Sequence, residues 1–273
     1  MTMFPSACIW SYKTPLAEAL NEIKQAAFHY VDIETESLDA PGFLEAQKTL
    51  GLRVSCVALD HRLPGGCSLE GNSPGRQRAA LDYLKKGLER CQAVGAQAAY
   101  VVPCRSRKNL RSFGAALKEL AAEAGSKGIK LCLEHFPGRA LKTARETLAF
   151  VQEVGHPNLH LLLDTGHALI SGERAWEVVA AAGEKLGYVQ VNDNDGRRDR
   201  HWALLDGRMT QGDLEKTLAA LKEIGYAGTL GLELNDDRAS IICGLSKNRN
   251  LLLRLQQEVE PKSLKEPETR RKQ

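Results

Sequence analysis

Four side chains able to hold a metal ion each close an apolar run of this chain: Ile129-Lys-Leu-Cys-Leu-Glu134, Leu161-Leu-Leu-Asp164, Tyr188-Val-Gln190 and Leu230-Gly-Leu-Glu233. Three carboxylates brought to one place repel one another unless a cation lies between them. A single divalent ion supplies that charge, and Gln190 adds a neutral carbonyl oxygen. An all-oxygen set favours Mn2+ or Mg2+, with Zn2+ admitted, and waters complete the shell. The rival reading is that acids at strand ends cap helices or pair with Lys and Arg. That reading serves for any one of these residues and is strained by all four together.

Such residues need a scaffold that brings four separate strand ends to one mouth. Eight strand-like runs recur along the chain: Ala7–Trp10, Tyr30–Thr35, Arg53–Leu59, Ala98–Pro103, Ile129–Glu134, Leu159–Asp164, Gly187–Val191 and Thr229–Leu234. Amphipathic stretches at helical spacing lie between them: Leu16–Phe28, Gln77–Val94, Ser112–Gly125, Thr143–Val154, Ala175–Leu186 and Leu214–Ile224. Gly51, Gly95, Gly128, Gly155 and Gly225 punctuate the joins. Parallel neighbours need helical crossovers, so this alternation predicts a parallel α/β sheet, and eight repeats predict closure into a single (β/α)8 TIM barrel. An open doubly wound sheet is the alternative, but no Gly-rich phosphate turn follows an early strand. The candidate ligands are spaced by 30, 26 and 43 residues, the last gap being stretched by a loop over Asn192–Met209.

Composition sets limits on the rest. With 43% hydrophobic and 26% charged residues, the 273-residue chain has the make-up of a globular protein. No apolar run reaches the ~20 residues of a membrane helix, and no secretory leader is visible. Seven cysteines without paired spacing argue against a disulfide framework and for a reducing cytoplasm. The barrel is expected over 1–260, and 261–273 is expected to be a basic, polar, flexible tail. That tail carries the whole formal charge of +3, leaving a neutral body that disfavours nucleic acid as a partner. A small carbohydrate-like molecule is the expected partner, and a homo-oligomer is compatible with the sequence.

The chain resembles the xylose-isomerase-like barrels, which include sugar isomerases and epimerases and the endonuclease-four abasic-site nucleases. The resemblance rests on Leu133-Glu134-His135, Asp164-Thr-Gly-His167, Val189-Gln-Val-Asn-Asp-Asn-Asp195, Asp199-Arg-His201 and Leu232-Glu233. It covers most of the chain from Val31 onward. The resemblance implies one catalytic metal on Glu134, Asp164, Gln190 and Glu233. Gln190 departs from the histidine usual there, although hydroxypyruvate-isomerase-like members also use glutamine. It further implies substrate contacts from His167 and His201, or else a second metal on His167, Asp199 and His201. A three-zinc nuclease is disfavoured, because Val101-Val-Pro-Cys104 lacks a histidine and only His61 stands near the other expected position.

The expected chemistry is isomerisation or epimerisation of a small sugar, keto-sugar or hydroxy-keto acid through an enediolate. Glu134 and Glu233 would act as base and acid on either side of the ion. The same site could run a dehydratase or lyase step, and a non-catalytic metabolite-binding barrel is the further alternative. Trp10, Tyr12, His61 and Arg105 are candidates for the pocket wall. His135 and His160 read as structural, and Arg197, Arg198 and Arg200 as solvated loop charges.

Overall fold

The apolar runs pair edge to edge until the last meets the first. In the computed structural model, strands β1 (Phe4–Cys8), β2 (Tyr30–Glu34), β3 (Arg53–Ala58), β4 (Ala98–Val101), β5 (Lys130–Glu134), β6 (Leu159–Asp164), β7 (Leu186–Val191) and β8 (Thr229–Leu232) form a closed parallel barrel in chain order. This is the predicted (β/α)8 barrel; the open sheet is excluded by the β1–β8 pairing of Ser6 with Gly231. The structure describes residues 3–259 apart from 11, 13, 72 and 236–240. The tail expected at 261–273 lies outside the described residues.

Helices α1 (Leu16–Gln25), α2 (Thr35–Leu38), α3 (Phe43–Leu50), α4 (Pro74–Ala93), α5 (Leu110–Ser126), α6 (Ala144–Val154), α7 (Thr165–Ile170), α8 (Ala175–Ala182), α9 (Gln211–Glu223) and α10 (Ile241–Glu258) make the outer layer. Each buries a stripe, for example Leu81, Leu84 and Leu88 of α4 and Phe113, Leu117 and Leu120 of α5. Thr143 caps α6 by accepting from the Glu146 N–H, and Thr210 with Asp213 forms a reciprocal capping box on α9. Four helices went unpredicted: the short α2 and α7, which follow directly on β2 and β6, and the longer α3 and α10. Helix α3 is eight residues long and buries only Phe43 and Gln47, too little for a helical period. Helix α10 follows the last candidate ligand and buries Leu245, Leu252 and Leu255. The first strand also begins earlier than expected, at Phe4, because Pro5 takes a place in register with Leu230.

The lower barrel interior is unexpectedly polar. Asp32 is fully buried and accepts from Ser6 Oγ at 2.7 Å, from Tyr188 Oη at 2.8 Å and from Ser55 Oγ. Burial raises its carboxyl above the usual range, and these donors pull it partly back. Gly231 is required opposite: a Cβ there would stand 2.4 Å from Asp32 Oδ2. His160 sits at this same end, beside Gly187 and away from the mouth, as its strand parity implied.

Candidate active site

The C-terminal strand ends open into a cavity of about 490 Å3 lined by Trp10, Tyr12, Asp60, His61, Glu134, His167, Asp199, His201 and Glu233, among others. A larger hollow of about 690 Å3 lies at the opposite end, among the turns of Gly95, Gly128 and Gly225. In barrels of this kind the chemistry sits at the C-terminal end, and the ligand-capable groups are there.

Asp164 is the hinge of the arrangement. Its Oδ1 accepts the His167 N–H at 2.7 Å, capping α7, and its Oδ2 accepts from Asn192 Nδ2 at 2.7 Å. The capping reading is thus correct for this residue, yet each oxygen retains a lone pair for a cation. One ligand atom each from Glu134, Asp164 and His167 lies within 4.8 Å of the others, and the same holds for Asp164, His201 and Glu233. Asp164 therefore stands between the two glutamates. Next to it in register, Gln190 is fully buried, and neither polar atom of its amide has a hydrogen-bond partner, although the Tyr100 hydroxyl lies close. An orphaned buried amide costs roughly 1–3 kcal/mol, which a coordinated cation would offset. Buried carboxylates around an orphaned oxygen fit a divalent ion.

The electrostatics carry the same message. Burial raises the Glu134 carboxyl, opposed by His167. Burial also pushes Glu233 up to about 7, against His201 and with the help of Asp164 and Glu134. Burial drives His201 down, but Glu233 and Asp199 outweigh it and lift the ring to about 10. The same contest, won by Asp164, Asp199 and Glu134, raises His167 well above its usual range. Asp199 is held low despite burial, by hydrogen bonds from His167 and His201. The surrounding acids thus favour positive charge on both histidine rings.

The third expected group also comes together: His167 Nε2 lies 3.1 Å from Asp199 Oδ2, and His201 Nε2 lies 3.0 Å from Asp199 Oδ1. His167 Nδ1 faces both the His135 carbonyl at 2.9 Å and Glu134 Oε1 at 3.1 Å. Trp10 Nε1 donates to Glu233 Oε1 at 2.8 Å, giving that predicted wall residue a direct role in orienting a candidate ligand. His135 is structural, as expected: its Nε2 sits 3.1 Å from the Asp164 carbonyl, and burial lowers it to about 3. Arg105 is corrected. It does not line the cavity, because its backbone N–H is tied to Glu70 Oε1 at 2.7 Å and its side chain is exposed.

The loop expected at Asn192–Met209 folds back on Asp193, whose carboxylate accepts from the N–H groups of Asn194 (2.7 Å), Gly207 (2.8 Å) and Met209 (2.9 Å). Gly207 is needed because a Cβ would stand 2.3 Å from the Asn194 carbonyl. The loop thereby holds out Asp199 and His201, with the His201 carbonyl accepting from the Asn235 N–H at 2.7 Å. Asp193→Ala removes three acceptances at once. It is expected to cost about 2–4 kcal/mol of stability, read as a lower urea midpoint, and to weaken substrate binding more than it weakens the global fold. Sequence reading passed over Asp193, Asp60, Phe136 and Arg139. Only Asp60 carried a signal, since it continues the inward parity of Cys56 and Ala58.

A parallel eight-stranded barrel with acids at the ends of β5, β6 and β8 defines a recognisable class. The family model for the xylose isomerase-like TIM barrel matches residues 20–259, and the chain belongs to that family. Among its relatives is the L-ribulose 3-epimerase of Methylomonas sp. (strain DH-1), 32% identical over 246 residues, covering 83% of this chain and 82% of the relative. Among solved structures, the D-allulose 3-epimerase from Methylomonas sp. in complex with D-allulose superposes with a TM-score of 0.75 at 22% identity, covering 94% of this chain and 97% of the other. The IolI protein with a binding zinc atom gives 0.77 at 19%, covering 94% and 99%.

Proposed function

We propose that this protein is a divalent-metal-dependent epimerase or isomerase of a small ketose. The observation that carries the proposal is the placement of Glu134 and Glu233 on either side of Asp164, with the unpartnered Gln190 amide next to it. The relatives support the substrate class: one that aligns along four-fifths of its length is an L-ribulose 3-epimerase, and inosose isomerase of Bacillus velezensis is 26% identical over 174 residues. Glu134, Asp164, Gln190 and Glu233 would hold the ion, whose charge would polarise a ketose carbonyl and acidify the neighbouring C–H. Oxygen donors favour Mn2+ or Mg2+, while the zinc of the IolI structure keeps that ion in the test.

The chain's own groups then move the proton. Glu134 on β5 and Glu233 after β8 reach the substrate from different sides of the mouth. One takes the proton from the carbon beside the carbonyl, and the other returns a proton to the opposite face, inverting that carbon. Burial holds both carboxyls above the usual carboxylate range, toward the pH at which an acid–base pair works best. His167 and His201 hold hydroxyls beside the reacting carbon, and Asp199 fixes both rings. Trp10 and Tyr12 wall the cavity against water. Among the described residues no helix is long and apolar enough to cross a membrane.

The test incubates protein with Mn2+ and L-ribulose or D-allulose in D2O. The expected product is an epimer carrying one deuterium at the inverted carbon, with loss of turnover on chelation. A product lighter by water would move the assignment to a dehydratase. No exchange with any ketose, with or without metal, would overturn the proposal.

A further inference from the structure

Across the mouth from β7 and β8, the cavity wall carries a second polar pair. Asp60, two residues past β3, faces in beside Tyr100, and Arg139, in the turn after β5, faces in beside Phe136. In a closed barrel of eight strands β3 lies diametrically opposite β7, so Asp60 stands on the far side of the cavity from Gln190.

Neither group is satisfied by the protein. Both Asp60 carboxylate oxygens share the Val102 N–H from the next strand at 3.2 Å, and among the described residues the only other hydrogen bond to them comes from the residue's own backbone N–H. Among the described residues no cation lies within ion-pair distance of it. The Arg139 guanidinium makes no hydrogen bond or ion pair among the described residues; it rests over the Phe136 ring, 5.7 Å from the centroid. Arg139 acts on Asp60 only at longer range. Burial raises the Asp60 carboxyl to about 7, the mark of a carboxylate short of donors. A part-buried acceptor and a free five-donor fork, set apart on one wall, leave open polar valences that a ligand's own hydroxyls match: a carboxylate accepts from O–H groups and a guanidinium donates to their oxygens.

We propose that Asp60 and Arg139 form a distal subsite that binds the far hydroxyls of an uncharged ketose of five or six carbons while its carbonyl end lies at Glu134 and Glu233. The pair carries opposite charges, so it suits a neutral polyol. The cavity of about 490 Å3 falls within the range of small-ligand sites. Both residues set specificity and position the sugar; neither touches the reacting carbon. The subsite rests on the ketose reading above.

The test compares D-allulose, which has distal hydroxyls, with the four-carbon ketose L-erythrulose, which is too short to reach the pair. Deuterium uptake from D2O beside the carbonyl reports both. Asp60→Asn, which keeps an oxygen for the Val102 N–H, and Arg139→Gln are each expected to lower kcat/KM for D-allulose at least tenfold, mainly through KM. For erythrulose, kcat/KM should stay within about twofold. An equal fall for both sugars would show a merely structural role, and no fall for either would remove the subsite; each overturns the proposal. Should the wild type exchange neither sugar, the rise in Tm given by D-allulose decides. A rise lost in both variants keeps the subsite and removes the epimerase reading, and no rise in the wild type overturns both.

Discussion

Glu134→Gln is expected to lower kcat on a ketose by at least about 10^3-fold, within the range by which positioned acid–base groups act, while the folded chain keeps its wild-type melting midpoint to within a few degrees. The substitution removes a charge and a proton acceptor from a side chain 4% exposed, and leaves a neutral amide oxygen where Glu134 would face the ion. The amide oxygen can still accept from His167, whose Nδ1 lies 3.1 Å from Glu134 Oε1. Neutralising this buried carboxylate removes its desolvation cost and its repulsion with Asp164 and Asp199, which offsets the charge attraction to His167 that is lost. Stability therefore has no reason to fall far. Turnover does, because an amide cannot carry a proton between substrate and solvent. Deuterium exchange at the inverted carbon is the direct measurement, and kcat within tenfold of wild type would sink the role assigned to Glu134.

The second large effect is on metal content. Wild-type protein purified without added metal is expected to hold about one equivalent of Mn, Mg or Zn, and Glu233→Ala to hold almost none. A change in the groups behind a metal ligand typically costs 10–100-fold in affinity, so loss of a ligand should exceed that. Trp10 Nε1, 2.8 Å from Glu233 Oε1, would also lose its acceptor, which argues for the paired variant Glu233→Gln as a control that keeps an oxygen there. Elemental analysis of the three proteins decides. Two equivalents in the wild type, with one surviving Glu233→Ala, would place a second ion at His167, Asp199 and His201, whose ligand atoms lie within 4.8 Å of one another. Metal content unchanged in Glu233→Ala would remove that residue from the ligand set.

The barrel was legible because its signal is periodic: apolar runs of strand length alternate with amphipathic stretches, and eight such units leave few arrangements. The carboxylate cluster was legible for a related reason. Each acid ends a run, and parallel strands in a barrel end at the same rim, so sequence position converts directly into place. Where position does not convert, the reading failed. Arg105 follows β4, but the loop there turns its backbone to Glu70 and its side chain to solvent. Arg139 enters the cavity from a Pro-Gly-Arg turn whose path no local pattern dictates. Asp193 reads as one more acid in an acid-rich segment, and its work becomes visible only when Gly207 and Met209 return to it from 14 and 16 residues away. Helix α3 was lost because a segment that buries two side chains leaves no period to detect.

The double engagement of Asp164 has a consequence for how the proposed site would receive an ion. A free aspartate must give up rotamer freedom when it coordinates, and a loose set of ligands multiplies that entropic cost. Here the His167 N–H and the Asn192 amide already hold both oxygens of Asp164 in one orientation, and Gly166 allows the close approach, since a Cβ there would stand 1.8 Å from Asn192 Oδ1. The ordering is completed when the chain folds, by contacts that also cap α7. A cation bound here would meet a socket already shaped, and its binding free energy would be available for holding the ion instead of arranging the protein around it.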